Sequence, residues 1–213
     1  LEVPLGDVGP GTYMLAGRLI NGGKNEIATS EDTIRKLNPS DSEVKIDRIR
    51  RVLLVDGKPF FAFMPLQLFH VPAGNPYGNY DETIDAMMSW WARHGFNTLH
   101  VGANADMEWS ERIWDRVFAS ARQHNMKVVV FWTGHWYRVL INDPEKLKRF
   151  ILRWKDEPAL LAWMPADEPE ISTDLKPGDV AAGIMRVKEL DPYHPVYINY
   201  TQIGPASRYA GLP

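Results

Sequence analysis

Cysteine is absent from the 213 residues. A disulfide scaffold and thiolate metal sites are therefore excluded, while the redox compartment stays open. No stretch approaches the roughly 18 to 20 apolar residues that a membrane-spanning helix needs. Charge of one sign is scarce as well: 24 Lys and Arg against 27 Asp and Glu leave a formal net charge of −3. That balance gives no basic footprint for nucleic acid or an anionic membrane surface. The opening "LEVPLGDVGPGTY" has neither a Met nor a signal-peptide pattern, and it reads as the interior of a domain. What is present is an ordinary globular composition, 45% hydrophobic, with 8 Trp among 11% aromatic residues. Most of those indoles belong to a core; some are free to serve as flat apolar platforms.

The first forty residues have their own rhythm. "GTYMLAGRLI" alternates at roughly period two, "NGGK" turns, and "NEIATSEDTIRKL" returns as a second extended run. Strand, Gly-rich turn and strand predict a hairpin. An isolated hairpin is marginal in water, so residues 1–40 are expected to be the C-terminal strands of a β-sandwich. "NPSDSE", 38 to 43, reads as a linker.

From residue 44 the pattern changes. "RVLLVDGKPFF" predicts a short strand, an Asp-Gly turn and an apolar run into "AFMPLQLF". "YDETIDAMMSWWARHG" has helical spacing and stops at Gly95. "FNTLHVGA" is strand-like, and "SERIWDRVFASARQHN" is a helix with Ser110 expected as its N-cap. "MKVVVFWTG" is the continuous apolar run of a strand buried on both faces. "DPEKLKRFILRWKDEP" places Asp143 at the N-cap and Pro144 at the first helical position. "ALLAWMPADEP", "PGDVAAGIMRVKELDP" and "PVYINYT" continue as strand, helix and strand. Strict βα alternation with short loops predicts parallel strands with right-handed crossovers, either doubly wound or in a (β/α)8 barrel. The glycines of "LFHVPAGNPYGNYDE" lack G-x-G-x-x-G spacing. Polar and aromatic residues instead mark the end of nearly every strand, as a barrel's active face requires. They are His70, then His100 and Asn104, Trp132 and His135, Asp167 and Glu168, and Asn199 and Tyr200. The fold class expected is α/β: a partial (β/α)8 TIM barrel over 44–213, about five strands and four helices, behind the end of a β-sandwich. A full barrel takes roughly 250 residues. Either further polypeptide or self-association is expected to complete this one.

"VLLVDGKPFF", "HGFNTLHV", "KVVVFW" and above all "KDEPALLAWMPADEPE" resemble the sandwich-plus-barrel glycoside hydrolases of clan GH-A, most closely glycoside hydrolase family 2. In that clan the fourth strand ends Asn-Glu-Pro and the Glu is the general acid/base. The resemblance implies that role for Glu168, with the nucleophile on a seventh strand outside this segment, and it implies that the β-sandwich of residues 1–40 is immunoglobulin-like. It implies hydrolysis of β-glycosidic bonds in oligo- or polysaccharides with retention, a carbohydrate substrate and no cofactor. One position departs: Asp167 stands where the clan has Asn, and an ionised Asp can only accept a hydrogen bond. An Asp-Glu pair also resembles substrate-assisted N-acetylhexosaminidases, in which the Asp steadies the acetamido group and no separate nucleophile is needed. A non-catalytic carbohydrate-binding or structural module is the reading from a different class.

The residues expected at the site are Glu168 and Asp167 as catalytic groups, with His70, Asn104, Trp132, His135, Trp136, Asn199 and Tyr200 lining a sugar subsite. His100 reads equally as a core histidine or a substrate contact. Glu157 lies at the opposite end of its strand, and His94 and His124 close helices, where an imidazolium favours the dipole. No metal is expected, because the histidines come from separate strands without H-x-H or H-E-x-x-H spacing. Neither nucleic acid nor membrane is an expected partner. A secreted or periplasmic setting is favoured over a cytoplasmic one.

Overall fold

The computed structural model describes residues 5–65, 69–70, 80–103, 107–132, 142–171 and 175–200, with the backbone alone at 69–70, 80–82, 103, 107–110 and 112. The chain divides into two compact units, Leu1–Ser40 and Asp41–Pro213. In the first, β1 (Gly11–Ile20) and β2 (Glu26–Lys36) form an antiparallel ribbon running from Gly11 opposite Lys36 to Leu19 opposite Ala28, with a bulge before Ile20. Asn21 closes its turn: the Asn21 Oδ1 accepts from the Gly23 and Asn25 amides at 3.0 and 2.9 Å.

The second unit begins with an antiparallel sheet of β3 (Val44–Asp47), β4 (Val52–Val55) and β5 (Lys58–Phe60). Asp56 and Gly57 both adopt positive φ in the β4–β5 turn, the geometry an Asp-Gly pair favours. β3 was not foreseen; its four residues are too few for periodicity to stand out from the preceding linker. The βα series follows: β6 (Phe69–His70), α1 (Tyr80–Arg93), β7 (Thr98–Ala103), α2 (Met107–Gln123), β8 (Lys127–Trp132), α3 (Pro144–Trp154), β9 (Leu160–Asp167), α4 (Pro177–Leu190) and β10 (Val196–Asn199). Its five strands pair in parallel and in sequence order. That order decides between the two candidate folds, because a doubly wound sheet reverses direction at a switch point and a barrel does not.

Local chemistry sets the helix ends. Asp143 accepts from the Lys146 amide at 3.0 Å, capping α3 ahead of Pro144. Ser110 does not cap α2, which starts at Met107. After α1, the Phe96 amide bonds the Trp91 carbonyl and the Gly95 amide bonds that of Ala92, with Gly95 at φ +86°. The end of α2 repeats the motif: Met126 to Ala121 and Asn125 to Arg122, with Asn125 at φ +53°. Both are left-handed stops that reverse the chain straight into a strand.

Period two sorts the strand side chains into two layers. Leu99, Val101, Val128, Val130, Trp132, Leu160 and Trp163 pack with Trp114, Phe118, Phe150 and Trp154 of α2 and α3. Val129, Phe131, Leu161, Ala162 and Met164 face the other way, where Val44 and Val55 join them. Burying each such aliphatic or aromatic side chain is worth about 1.5 to 3 kcal/mol, so the sheet is sealed on both faces near its N-terminal end.

Candidate active site

β9 ends in Asp167 and is flanked by β8 and β10. Two register shifts decide where its side chains point. Against β8, Val128 faces Leu160 but Val129 faces Ala162, so Leu161 is an extra residue. Against β10, Val196 faces Trp163 and Ile198 faces Ala166, so Met164 and Pro165 together oppose Tyr197. A bulge is one of the few places where a strand tolerates proline. Its consequence is a change of phase, because one extra residue moves every later side chain to the other face. Strict alternation from Trp163, which faces the helices, would send Asp167 towards the helices too. With the bulge, Ala166 packs against Val180 and Ile184 of α4, and Asp167 turns to the inner face.

Three neighbours meet it there. Asn199, opposite Asp167 in the ladder, donates from Nδ2 to Asp167 Oδ1 at 3.0 Å. His100 lies on the β7 face opposite Leu99 and Val101, 6.0 Å in ring centroid from Tyr197 and 6.3 Å from Phe131. Burial holds its imidazole below the ordinary value, with the Asp167 charge pulling the other way. The Tyr197 phenol is pushed up, first by burial and then by the same carboxylate. His100 is 7% exposed, and its Nε2 has no hydrogen-bond partner among the described residues.

Glu168 follows directly. Its amide donates to the Asn199 carbonyl at 2.9 Å, extending the ladder one residue, and its own carbonyl accepts from Ile171 at 3.0 Å to start a turn. The residue sits at φ +44°, a left-handed conformation that is unusual for a side chain other than Gly, Asn or Asp. Among the described residues no hydrogen bond holds the Glu168 carboxyl. The residue is half-buried, and a carboxyl at the end of a barrel strand is a group that can transfer a proton to or from a polar ligand.

The structure thus brings together Asp167, Glu168 and Asn199. Two expected subsite residues go elsewhere. Trp132 shares the helix-facing phase of Val128 and Val130; it is 1% exposed and packs against Phe150 and Trp163. Tyr200 alternates away from Asn199 and packs with Ala166, Leu175, Val180 and Ile184. His70 ends β6 opposite Gly102 of β7, a position on the same sheet. Asn104, His135 and Trp136 lie outside the described residues. Tyr197 was missed, although it precedes Asn199 by two in one strand and so shares its face. Among the described residues, no three His, Asp or Glu side chains gather in a metal-binding arrangement.

An in-order parallel sheet with helical crossovers and polar groups at the strand ends is the architecture of a (β/α)8 barrel. No protein-family model and no curated protein matches the chain. Solved structures do. An endoglucanase from Pseudomonas stutzeri superposes with a TM-score of 0.51 at 16% identity, over 65% of this chain and 52% of that one. A family 5 glycoside hydrolase from Bacteroides vulgatus gives 0.55 at 17% identity, over 74% and 39%. β-Glucuronidase 3 from Bacteroides uniformis gives 0.50 at 13%, over 88% and 24%. The matched region spans about half of the endoglucanase and less of the other two. The fold is the one these hydrolases share.

Proposed function

We propose that this chain carries the acid/base side of a retaining β-glycosidase site of the clan GH-A type, acting on oligo- or polysaccharides. The observation that supports it is the placement of Glu168 at the end of the fourth parallel strand, beside an Asp167 that a bulge turns inward onto Asn199. In this reading Glu168 protonates the glycosidic oxygen as the aglycone leaves. A carboxylate from a later strand, about 5 to 5.5 Å away, attacks the anomeric carbon and holds the glycosyl group. Glu168, now ionised, takes a proton from the water that releases the sugar. Asp167 and Asn199 supply an acceptor and a donor to hydroxyls of the bound ring.

Glu168→Gln in the complete enzyme tests the assignment. Hydrolysis of an unactivated glycoside should fall about 10²- to 10⁴-fold. Aryl glycosides with good leaving groups should suffer less in the glycosylation step, and azide should restore turnover as a glycosyl azide. Unchanged hydrolysis of the unactivated substrate would remove Glu168 from the role, and binding without turnover by the unaltered enzyme would favour a non-catalytic module.

A second reading follows from Asp167 itself. One of its oxygens is held by Asn199. The other could accept the N–H of a 2-acetamido group while that group attacks its own anomeric carbon. Strong inhibition by an N-acetyl thiazoline supports this route, and indifference to the acetamido group sinks it.

A further inference from the structure

The N-terminal end of the parallel sheet carries an open pocket, away from Asp167 and Glu168. Its volume is about 480 Å³, and it is bounded by Glu43 to Ile46, by Arg48, by Lys188 of α4 and by the segment from Pro192 to Pro195. The walls are tied together: the Val44 amide donates to the Tyr193 carbonyl at 3.0 Å. The far wall is anchored in the core, because Asp191 accepts from Trp163 Nε1 at 2.6 Å, His194 Nδ1 at 2.8 Å and the Tyr193 amide at 3.0 Å. Two prolines stiffen the same segment.

The charges on these walls do not balance. Lys45, Arg48 and Lys188 stand against Glu43 alone, three positive minus one negative, in a chain whose formal net charge is −3. Glu43 is 3.1 Å from Lys45, which neutralises that pair. Asp47, the next carboxylate along β3, is engaged elsewhere: it accepts from the Ile49 and Arg50 amides and lies 3.7 Å from the Arg50 guanidinium. Among the described residues, Arg48 and Lys188 have no carboxylate partner. An open pocket of sugar-like size with two unneutralised, exposed cations at its wall fits one ligand chemistry.

We propose that this pocket binds a small ligand bearing an oxyanion, a carboxylate, sulfate or phosphate, between Arg48 and Lys188. Arg48 supplies a planar fork that matches two oxygens, and Lys188 supplies a point charge. The Glu43–Lys45 pair is left to contact the ligand's polar body. The inference is independent of any role for Glu168.

The test is titration of the full chain at constant ionic strength with sulfate, inorganic phosphate and glucuronate, and with glucose as the neutral control, followed by NMR shifts and melting temperature. At least one anion should bind saturably. Arg48→Ala/Lys188→Ala should weaken it about tenfold or more, the loss expected for charge-assisted hydrogen bonds. Lys148→Ala removes an exposed charge from α3, outside the pocket, and should change nothing. Tighter binding of glucuronate than of the inorganic ions would identify an anionic sugar, and parity would identify the bare group. Absence of saturation, equal binding of glucose, or an equal loss in Lys148→Ala would each overturn the proposal. Both altered residues are exposed, so circular dichroism should be unchanged and folding does not confound the result.

Discussion

Glu168 holds a backbone conformation that costs about 1 to 3 kcal/mol for a residue with a Cβ. Strain of that kind at a candidate catalytic residue yields a prediction. Glu168→Gly should stabilise the fold by about 1 kcal/mol in urea denaturation while removing activity, because glycine enters the left-handed region without the steric penalty. A loss of stability instead would show that side-chain contacts hold the turn. His100 offers a pH test. Its imidazole is held below the ordinary value by burial, against the pull of Asp167, so the native state favours the neutral ring. The unfolded chain binds the proton first, as pH falls below about 6.5. The stability from His100 is therefore complete above that pH and is lost as pH falls through the lower folded value. His100→Gln should flatten the acid side of the stability–pH curve; an unchanged slope would mean the ring is not desolvated.

At the scale of elements, two kinds of fastener join strands to helices. The Asp191 carboxylate, at the end of α4, binds Trp163 of β9 and His194 ahead of β10. Burial works to raise its pKa, but the His194 hydrogen bond and charge, then the hydrogen bonds from the Trp163 indole and the Tyr193 amide, leave it lowered. Its contribution is present above the unfolded carboxyl value and is lost as pH falls through the folded one. Asp191→Ala would strand a buried indole N–H and a buried imidazole, and should cost about 3 kcal/mol or more. A loss below about 1 kcal/mol would show that the network is dispensable. The other fastener is the left-handed stop. Asn125→Gly should be neutral or mildly stabilising, whereas Asn125→Ala should cost about 1 kcal/mol by thermal denaturation.

For the whole molecule, the contrast lies between the two units. β8 and β9 are sealed on both faces, with Val130 and Trp163 buried on the helix side and Phe131 and Leu161 buried on the other. In the β1–β2 ribbon, Met14, Leu19, Ile20 and Ile27 are each more than half exposed. A two-stranded ribbon is marginal without a covered apolar face. Hydrogen exchange should therefore be fast in the ribbon amides and slow in β8 and β9. Protection of the ribbon equal to that of β8 would mean that another surface covers it in solution.

Apart from β3, the sequence alone determined the order and type of the elements. Period-two runs, helical spacing, the Asp143-Pro144 start and the Gly95 stop act over a few residues, and local chemistry is legible locally. The same reach placed a carboxylate pair at the end of a buried strand. Trp132 and Tyr200 were misplaced because being at a strand's end does not say which face a side chain takes. That face depends on register, which is a property of two strands in contact. The bulge at Met164 and Pro165 exists only against β10, and it turns Asp167 inward onto Asn199. The in-order sheet, the left-handed Glu168 and the convergence of His100 and Tyr197 have the same origin. They are relations between strands separated by a whole crossover, and only tertiary structure decides them.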